Sequence, residues 1–251
     1  MDNFENILNK FDPVSLEEID AVKLMNRIDR KYWFHSSKLL QLLEHALPYY
    51  DILEINGERL MDYQTTYYDT ADNAMYLKHH NRKLNRHKVR QRRYYSTEAS
   101  FLEIKFKTNK KRTIKERIAC DFEPNEFIHD YSKFIDHKTP FQSKELEPKL
   151  NNKFKRITLI HKDKLDRCTI DISPVFWNEN GKTKFDQLVI FELKRGRSLK
   201  FSPMVDLMRH LKIRQRGLSK YCTGRAMLEE DLKQNMFKPR LRFLTKEIIN
   251  N

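Results

Sequence analysis

Four pairs of charged residues stand two positions apart in segments rich in β-forming residues: Arg90 and Arg92, Glu103 and Lys105, Lys115 and Arg117, Glu192 and Lys194. Residues i and i+2 of a strand project to the same side, so each pair shares a face. Phe101, Leu102, Ile104 and Phe106 surround Glu103 and Lys105, and Ile190, Phe191 and Leu193 surround Glu192 and Lys194. Charges within such apolar runs fit poorly as plain solvated surface and suggest groups that line a wet interior. The ordinary alternative is the solvent face of a half-buried sheet, with cross-strand ion pairs worth about 0–1 kcal/mol when exposed. The residue types suit one chemistry. Arginine offers a planar fork to two phosphate oxygens, lysine a compact positive charge, and glutamate a hard oxygen ligand for a divalent cation.

Charge is concentrated where those pairs lie. The chain has 251 residues, 49 Lys+Arg against 35 Asp+Glu, and a formal net charge of +14. Between Lys78 and Arg117 there are 15 basic residues against Glu98, Glu103 and Glu116, a net +12 over 40 residues. Such a concentration attracts polyanions, whether nucleic acid, phosphate chains or anionic lipid. With 39% hydrophobic residues, 16 Phe and 11 Tyr but only 5 Gly, the composition is that of a folded globular protein. No apolar run reaches the roughly 18 residues a membrane-spanning helix needs, and Met1 to Lys10 lacks the pattern of a signal peptide, so a cytoplasmic location is expected. Cys120, Cys168 and Cys222 are too few and too scattered for a disulfide framework and read as reduced thiols. The GxxxxGK[ST] loop is absent, the nine histidines show no HExxH spacing, and no Ser or Cys nucleophile motif stands out.

The elements that must position these residues are mostly strands. Arg30 to His35 reads as a strand, followed by a serine-capped helix over 39–47. Asn56-Gly57 between β-rich segments at 49–55 and 59–68 predicts a hairpin. A short helix at 71–83 leads to strands at 86–95, 101–107 and 112–121. Helical pieces are expected over 124–150, where Pro124, Pro140 and Pro148 fall, then strands at 153–161, 165–172 and 188–194. Helices at 203–211 and 219–234 and a basic tail at 238–246 complete the chain. The expected fold is α+β, one domain over 1–251: an antiparallel β-barrel or tunnel with peripheral helices, its core at about 20–228 and a basic tail at 235–251. A closed barrel removes sheet edges; a sandwich is the alternative.

Nine short motifs occur in the order seen in one family. They are Arg27-Ile-Asp-Arg-Lys-Tyr-Trp-Phe34, Thr66-Tyr-Tyr-Asp-Thr70, Lys88-Val-Arg-Gln-Arg92, Phe101-Leu-Glu-Ile-Lys105, Lys115-Glu-Arg117, Phe154-Lys-Arg156, Arg167-Cys-Thr-Ile-Asp171, Phe191-Glu-Leu-Lys194 and Ser219-Lys-Tyr221. In this set the chain resembles the VTC domain, the polyphosphate polymerase module of the triphosphate tunnel metalloenzyme (CYTH-like) superfamily. The resemblance implies a β-tunnel that binds ATP or another nucleoside triphosphate and a growing inorganic polyphosphate chain. It places Lys31, Arg90, Arg92, Lys105, Lys115, Arg156 and Lys220 among the phosphate-binding, catalytic residues. It places Glu192 at the ligand position of a divalent metal, Mn²⁺ or Mg²⁺, with Glu103 as a second acidic candidate. Asp29 stands where many tunnel enzymes carry a glutamate, which puts a second metal position in doubt. The eukaryotic relatives' SPX domain has no counterpart in the sequence, so inositol-phosphate sensing is not expected.

The implied activity is transfer of the γ-phosphate of ATP to a polyphosphate chain. Two alternatives remain: hydrolysis of short polyphosphates on the same fold, and a non-catalytic module that holds polyphosphate or nucleic acid, with Tyr94 and Tyr95 as stacking platforms beside Arg92 and Arg93. Nucleic acid is the less favoured ligand. In the tail, Phe237, Leu241, Phe243 and Leu244 alternate with Lys238, Arg240, Arg242 and Lys246, which could touch a membrane or a membrane protein; an ordinary exposed terminus is the plain alternative.

Overall fold

The computed structural model describes residues 2–21, 27–110, 112–122, 131–196 and 201–249. Pro124 and the helical pieces expected around it lie outside the described residues.

One antiparallel sheet dominates. Along its main path the strands run β2 (Arg27–His35), β11 (Leu188–Gly196), β9 (Asp166–Asn178), β8 (Leu146–His161), β4 (Met61–Thr70), β5 (Arg86–Tyr94), β6 (Ala99–Lys107) and β7 (Thr113–Ala119). Off this path, β10 (Gly181–Lys184) pairs β9, β3 (Tyr50–Leu53) pairs β8, and β1 (Pro13–Val14) lies parallel to β3. The sheet is curled. β5 and β6 are five ladder steps from β2 and β11, about 24 Å in a flat sheet. Yet Lys88 on β5 feels Lys31 on β2, and Lys105 on β6 feels Glu192 on β11, so the ends of the sheet face one another across a concavity. Among the described residues no ladder joins β2 to β7, so the sheet is a curled half-barrel with helices around it.

Alternation along each strand sorts the two faces. The convex phase is apolar: Ile157, Leu159, Ile170, Phe191 and Leu193 pack with the helices α1 (Asp2–Asn9), α3 (Leu39–Ala46) and α6 (Pro203–His210), while α2 (Leu16–Ala21) adds Ile19 to a smaller cluster with Leu53 and Ile160. Val89, Leu102 and Ile104 pack beside Met75 of α4 (Ala74–His80) and Ile135 of α5 (Ser132–Lys138). Another cluster lies on the concave side, where Trp33, Tyr67, Leu150 and Ile190 meet Leu218, Tyr221 and Ala226 of the α7 region (Lys220–Leu228) and Leu241 and Leu244 of α8 (Lys238–Leu244).

Three expectations are corrected. The Asn56-Gly57 turn forms, with positive φ at both residues and an Ile55–Glu58 bridge, but β3 and β4 do not pair with each other. Both align with the long strand β8, β3 at its end and β4 along its first two-thirds, because β8 offers a longer buried partner than a two-residue turn can enforce. Pro148 is not in a helical piece. It lies in β8, which runs 16 residues, at a register shift against Tyr67 and Tyr68, the kind of bulge where a missing N–H is tolerated. The basic tail is no free terminus. Phe237, Leu241, Leu244 and Ile248 are buried and Phe243 lies edge-on to Trp33, so the apolar side that a membrane contact would need is spent on the core. Cys120, Cys168 and Cys222 are free thiols, the last two buried. Among the described residues no helix is long and apolar enough to cross a membrane.

Candidate active site

Directly paired residues of neighbouring strands point to the same side, so register shows which side chains meet. Lys115, Lys105 and Lys88 form one row across β7, β6 and β5. Arg117, Glu103, Arg90 and Tyr67 form the next, and Phe101, Arg92, Thr65 and Asn152 the one beyond it. On the other limb of the sheet, Arg156 pairs Asp171, while Thr169 pairs Glu192, which pairs Lys31. Lys220 reaches Asp171 from the first turn of α7. All seven cations proposed from sequence, and Glu192, therefore lie on or reach the concave face.

Two buried carboxylates organise the cations. The Glu103 side chain is fully buried; Arg90 Nε donates to its Oε2 at 2.6 Å, and Lys115 pairs with Oε1. Burial alone would raise this carboxyl, but Arg90, Arg92 and Lys115 outweigh it and hold it far below the usual range. On the other limb, Arg156 forks onto Asp171 with donors at 2.6 and 2.9 Å, and Lys220 pairs with the same carboxylate. Burial opposes ionisation of Asp171 too, and Arg156 and Lys220 again overcome it. Asp171 lies in a motif noted from sequence but was assigned no role there. Its signal was phase: it is the one acid within an otherwise uncharged run from Cys168 to Ile172.

A stacked aromatic pair lies under three of the cations. Tyr63 and Phe154 are 5.3 Å apart with ring planes 15° from parallel. Arg92 and Arg156 stand over both rings, and Lys220 sits 4.1 Å from the centre of Phe154. The quadrupole of each ring attracts the cation above it, partly replacing lost hydration.

Like charge is only partly compensated in the middle of the face. Arg92 is 5% exposed, donates through Nε to Thr65 at 3.0 Å, and has no carboxylate partner among the described residues; burial and Arg90 both weaken its hold on its proton. Lys105 makes no ion pair or hydrogen bond with the described residues, and Arg90, burial and Arg92 together push its pKa well down. Lys88 donates to Ser219 Oγ at 2.9 Å, and burial pulls its pKa to about 8. Sequence reading left Lys88 unassigned although it stands in phase with Arg90.

Glu192 is held differently. Its neighbours Lys31 and Lys194 stand at 3.4 and 3.9 Å, and its side chain keeps 25% exposure. Burial would raise its carboxyl, but Lys31, Lys194, Lys105 and Arg156 bring it to about 2. It is thus ionised and only loosely engaged. Among the described residues no group of three or more His, Cys, Asp or Glu forms a metal cage. Glu103, the second acidic candidate, is consumed by Arg90 and Lys115. Asp29 shares the concave phase opposite Lys194. This donor set fits an ion that takes most of its ligands from phosphate oxygens and water, as Mg²⁺ does, and not one caged by protein.

Two further residues near the site prove to be scaffold. Asp69 is fully buried and accepts from the backbone N–H groups of Thr70, Met75 and Tyr76 and from the Tyr221 hydroxyl, tying α4 to α7. Gly224 lets α7 lie close on the sheet: a Cβ there would come within 2.6 Å of Phe176 and 2.7 Å of Leu150.

Comparison with known proteins gives low-identity structural likenesses and one family match. Solved structures similar to the chain include a candidate adenylate cyclase from Vibrio parahaemolyticus (10% identity, 78% of this chain and 95% of that one, TM-score 0.47). Others are a candidate adenylate cyclase from Bacillus halodurans (10% identity, 77% and 94%, TM-score 0.47) and one from Hippeastrum with a dominant triphosphatase activity (14% identity, 80% and 96%, TM-score 0.46). No curated protein matches the sequence. The family model described as the VTC domain matches residues 26–229, which include every residue of the concave site, and the chain belongs to that family.

Proposed function

We propose that the protein is a metal-dependent phosphotransferase that moves the γ-phosphate of ATP onto inorganic polyphosphate, with residues 1–251 acting as one unit. The observation that carries the reading is the pair Arg92 and Lys105, held against other cations on a curled face with no carboxylate of their own. A bound polyphosphate chain or triphosphate relieves that repulsion, and a neutral substrate does not. Membership of the VTC domain family supports the same class of substrate.

Phosphoryl transfer asks little covalent work of a protein, since alignment and charge neutralisation dominate. A terminal oxygen of the chain attacks the γ-phosphorus of ATP in line; the bond from that phosphorus to the β-γ bridging oxygen breaks, and ADP leaves with the electron pair. Arg92 on one limb offers a planar fork to phosphate oxygens, Arg90 and Arg156 offer the N–H groups that Glu103 and Asp171 leave free, and Lys31, Lys105, Lys115 and Lys220 add point charges. Glu192, with phosphate oxygens, would hold a divalent ion, Mn²⁺ or Mg²⁺, whose charge offsets repulsion between nucleophile and leaving group.

The test is incubation of purified protein with ATP and Mn²⁺, followed by separation of ADP, free phosphate and long chains. ADP matched by long chains is the expected result. ADP matched by free phosphate would make the protein a hydrolase, and unchanged ATP with tight polyphosphate binding would make it a binding module.

A further inference from the structure

A second set of cations lies outside the concave site. The turn after α4 and the segment 233–236 line a groove of about 580 Å³ with Arg82, Lys83 and Lys233. Beside it, Gln234 and α8 line another of about 500 Å³ with Lys238, Arg242 and Lys246. Among the described residues no carboxylate lines either groove. The two are joined through the chain at Gln234 and Asn235, and the turn is fixed to the 233–237 segment by direct contacts. Lys233 Nζ donates to Asn81 at 3.3 Å, Met236 N–H donates to His80 Nε2 at 3.2 Å, and the His79 ring lies 6.3 Å from Phe237.

The outer cations run back toward the concave face. Arg86 donates to the Lys83 carbonyl at 2.6 Å and stands in phase with Lys88 and Arg90 on β5. His79, between the two regions, is kept neutral by burial and by Lys88, Arg86, Arg240 and Lys31, its pKa falling to about 2. Arg240 in turn feels Arg82. A line of positive groups thus leads from Arg90 through Lys88, Arg86 and Arg240 to the grooves.

We propose that these grooves form an outer subsite for a long inorganic polyphosphate chain, engaging phosphates that extend past the concave site. The inference rests on the proposed function and names a feature of the substrate, its length. Lys238 and Arg242 are four residues apart and so lie on one helical stripe, and Lys246 lines the same groove. A flexible polyanion can follow such a stripe, which none of Arg90, Arg92 and Lys105 lines. The buried apolar side of α8 argues against a lipid surface, because only the charged side is left to engage one.

The experiment compares tripolyphosphate with polyphosphate tens of phosphates long, using the wild-type chain, the triple variant K238Q/R242Q/K246Q and the double variant R82Q/K83Q. The substituted residues are exposed, and melting temperatures check that the fold is kept. Tripolyphosphate affinity should be unchanged in both variants, while long-chain affinity falls by about tenfold at low salt with a shallower salt dependence. Unchanged long-chain affinity in both variants overturns the outer subsite while leaving the proposed function intact. Wild-type protein that binds neither anion overturns the proposed function and the inference with it. Binding to phosphatidylcholine–phosphatidylserine vesicles that the triple variant loses, with long-chain affinity intact, would reassign the grooves to a membrane.

Discussion

Two kinds of carboxylate share the concave face. Glu103 and Asp171 are closed: each is buried, each takes an arginine and a lysine, and each has no capacity left for another cation. Glu192 is open: its lysines stand further off, and part of its side chain remains in water. The contrast separates structure from chemistry. A buried acid fully claimed by Arg and Lys spaces and orients those cations, whereas an ionised acid loosely held among cations can still bind a metal.

The largest effect that would test this contrast is on stability. Glu103→Gln keeps the shape but leaves Arg90, which is 8% exposed, beside Arg92 and Lys105 with no counter-charge. Breaking a buried pair in this way should cost about 3–5 kcal/mol, read from denaturant unfolding. Tripolyphosphate should restore more stability to this variant than to wild type, because the anion supplies the missing charge. A loss below about 1 kcal/mol would show that Glu103 is no more closed than Glu192. Glu192→Gln should do the opposite. Stability should change little and metal-free tripolyphosphate binding should hold or tighten, while metal-dependent turnover of ATP should fall by about a hundredfold, the usual scale for losing one electrostatic contribution at a reacting centre. Wild-type turnover with normal metal dependence would remove Glu192 as the metal ligand.

The sharing of a face within each strand was legible in the sequence because it depends only on period two, as for Arg90 with Arg92 and Lys115 with Arg117; that β5, β6 and β7 put such pairs on one common face is set by their register. Which acid is closed was not legible. Glu103-x-Lys105 and Glu192-x-Lys194 read alike, and the difference arises from the neighbouring strands: β5 and β7 bring Arg90 and Lys115 to Glu103, whereas β2 brings only Lys31 to Glu192. Long-range pairing also misled the hairpin reading, since the turn at Asn56-Gly57 is local and the competition for β8 is not. The tail failed for a related reason. Its alternation of apolar and basic residues is equally that of a surface helix and of one docked on Trp33, and only tertiary packing chooses.

Gly224 sharpens the comparison by acting on one closed carboxylate alone. Gly224→Ala would drive a methyl into Phe176 and Leu150 and push α7 off the sheet, withdrawing Lys220 from Asp171 while leaving Glu103 untouched. An overpacked contact of this kind should cost about 1–3 kcal/mol. Tripolyphosphate affinity should weaken, and adding Lys220→Met to Gly224→Ala should weaken it little further. Full additivity of the two on affinity would mean that the glycine serves packing only and does not position Lys220.

The smallest effect expected concerns Lys88, one of the cations with no carboxylate partner. Its pKa in the unliganded fold is about 8, against 10.5 for an ordinary lysine. Burial is the main cause, with Lys31, Arg86 and Arg90 adding to it. The folded state therefore binds fewer protons than the unfolded chain between these values, so this group's unfavourable contribution is fully present below pH 8 and fades as pH rises to 10.5. Lys88→Met should accordingly stabilise the unliganded protein at neutral pH, with the advantage shrinking across that window. A bound polyanion favours the charged lysine and raises its pKa, so binding should take up protons above pH 8, and affinity should fall with pH by at most about tenfold per unit from this one group. Calorimetry of tripolyphosphate binding in two buffers of different ionisation heat measures the uptake directly. Lys194, also near 8, leaves a residual uptake in Lys88→Met. The variant should therefore show a reduced uptake, and one identical to wild type would mean that Lys88 lies outside the reach of the anion and that the site ends at Arg90.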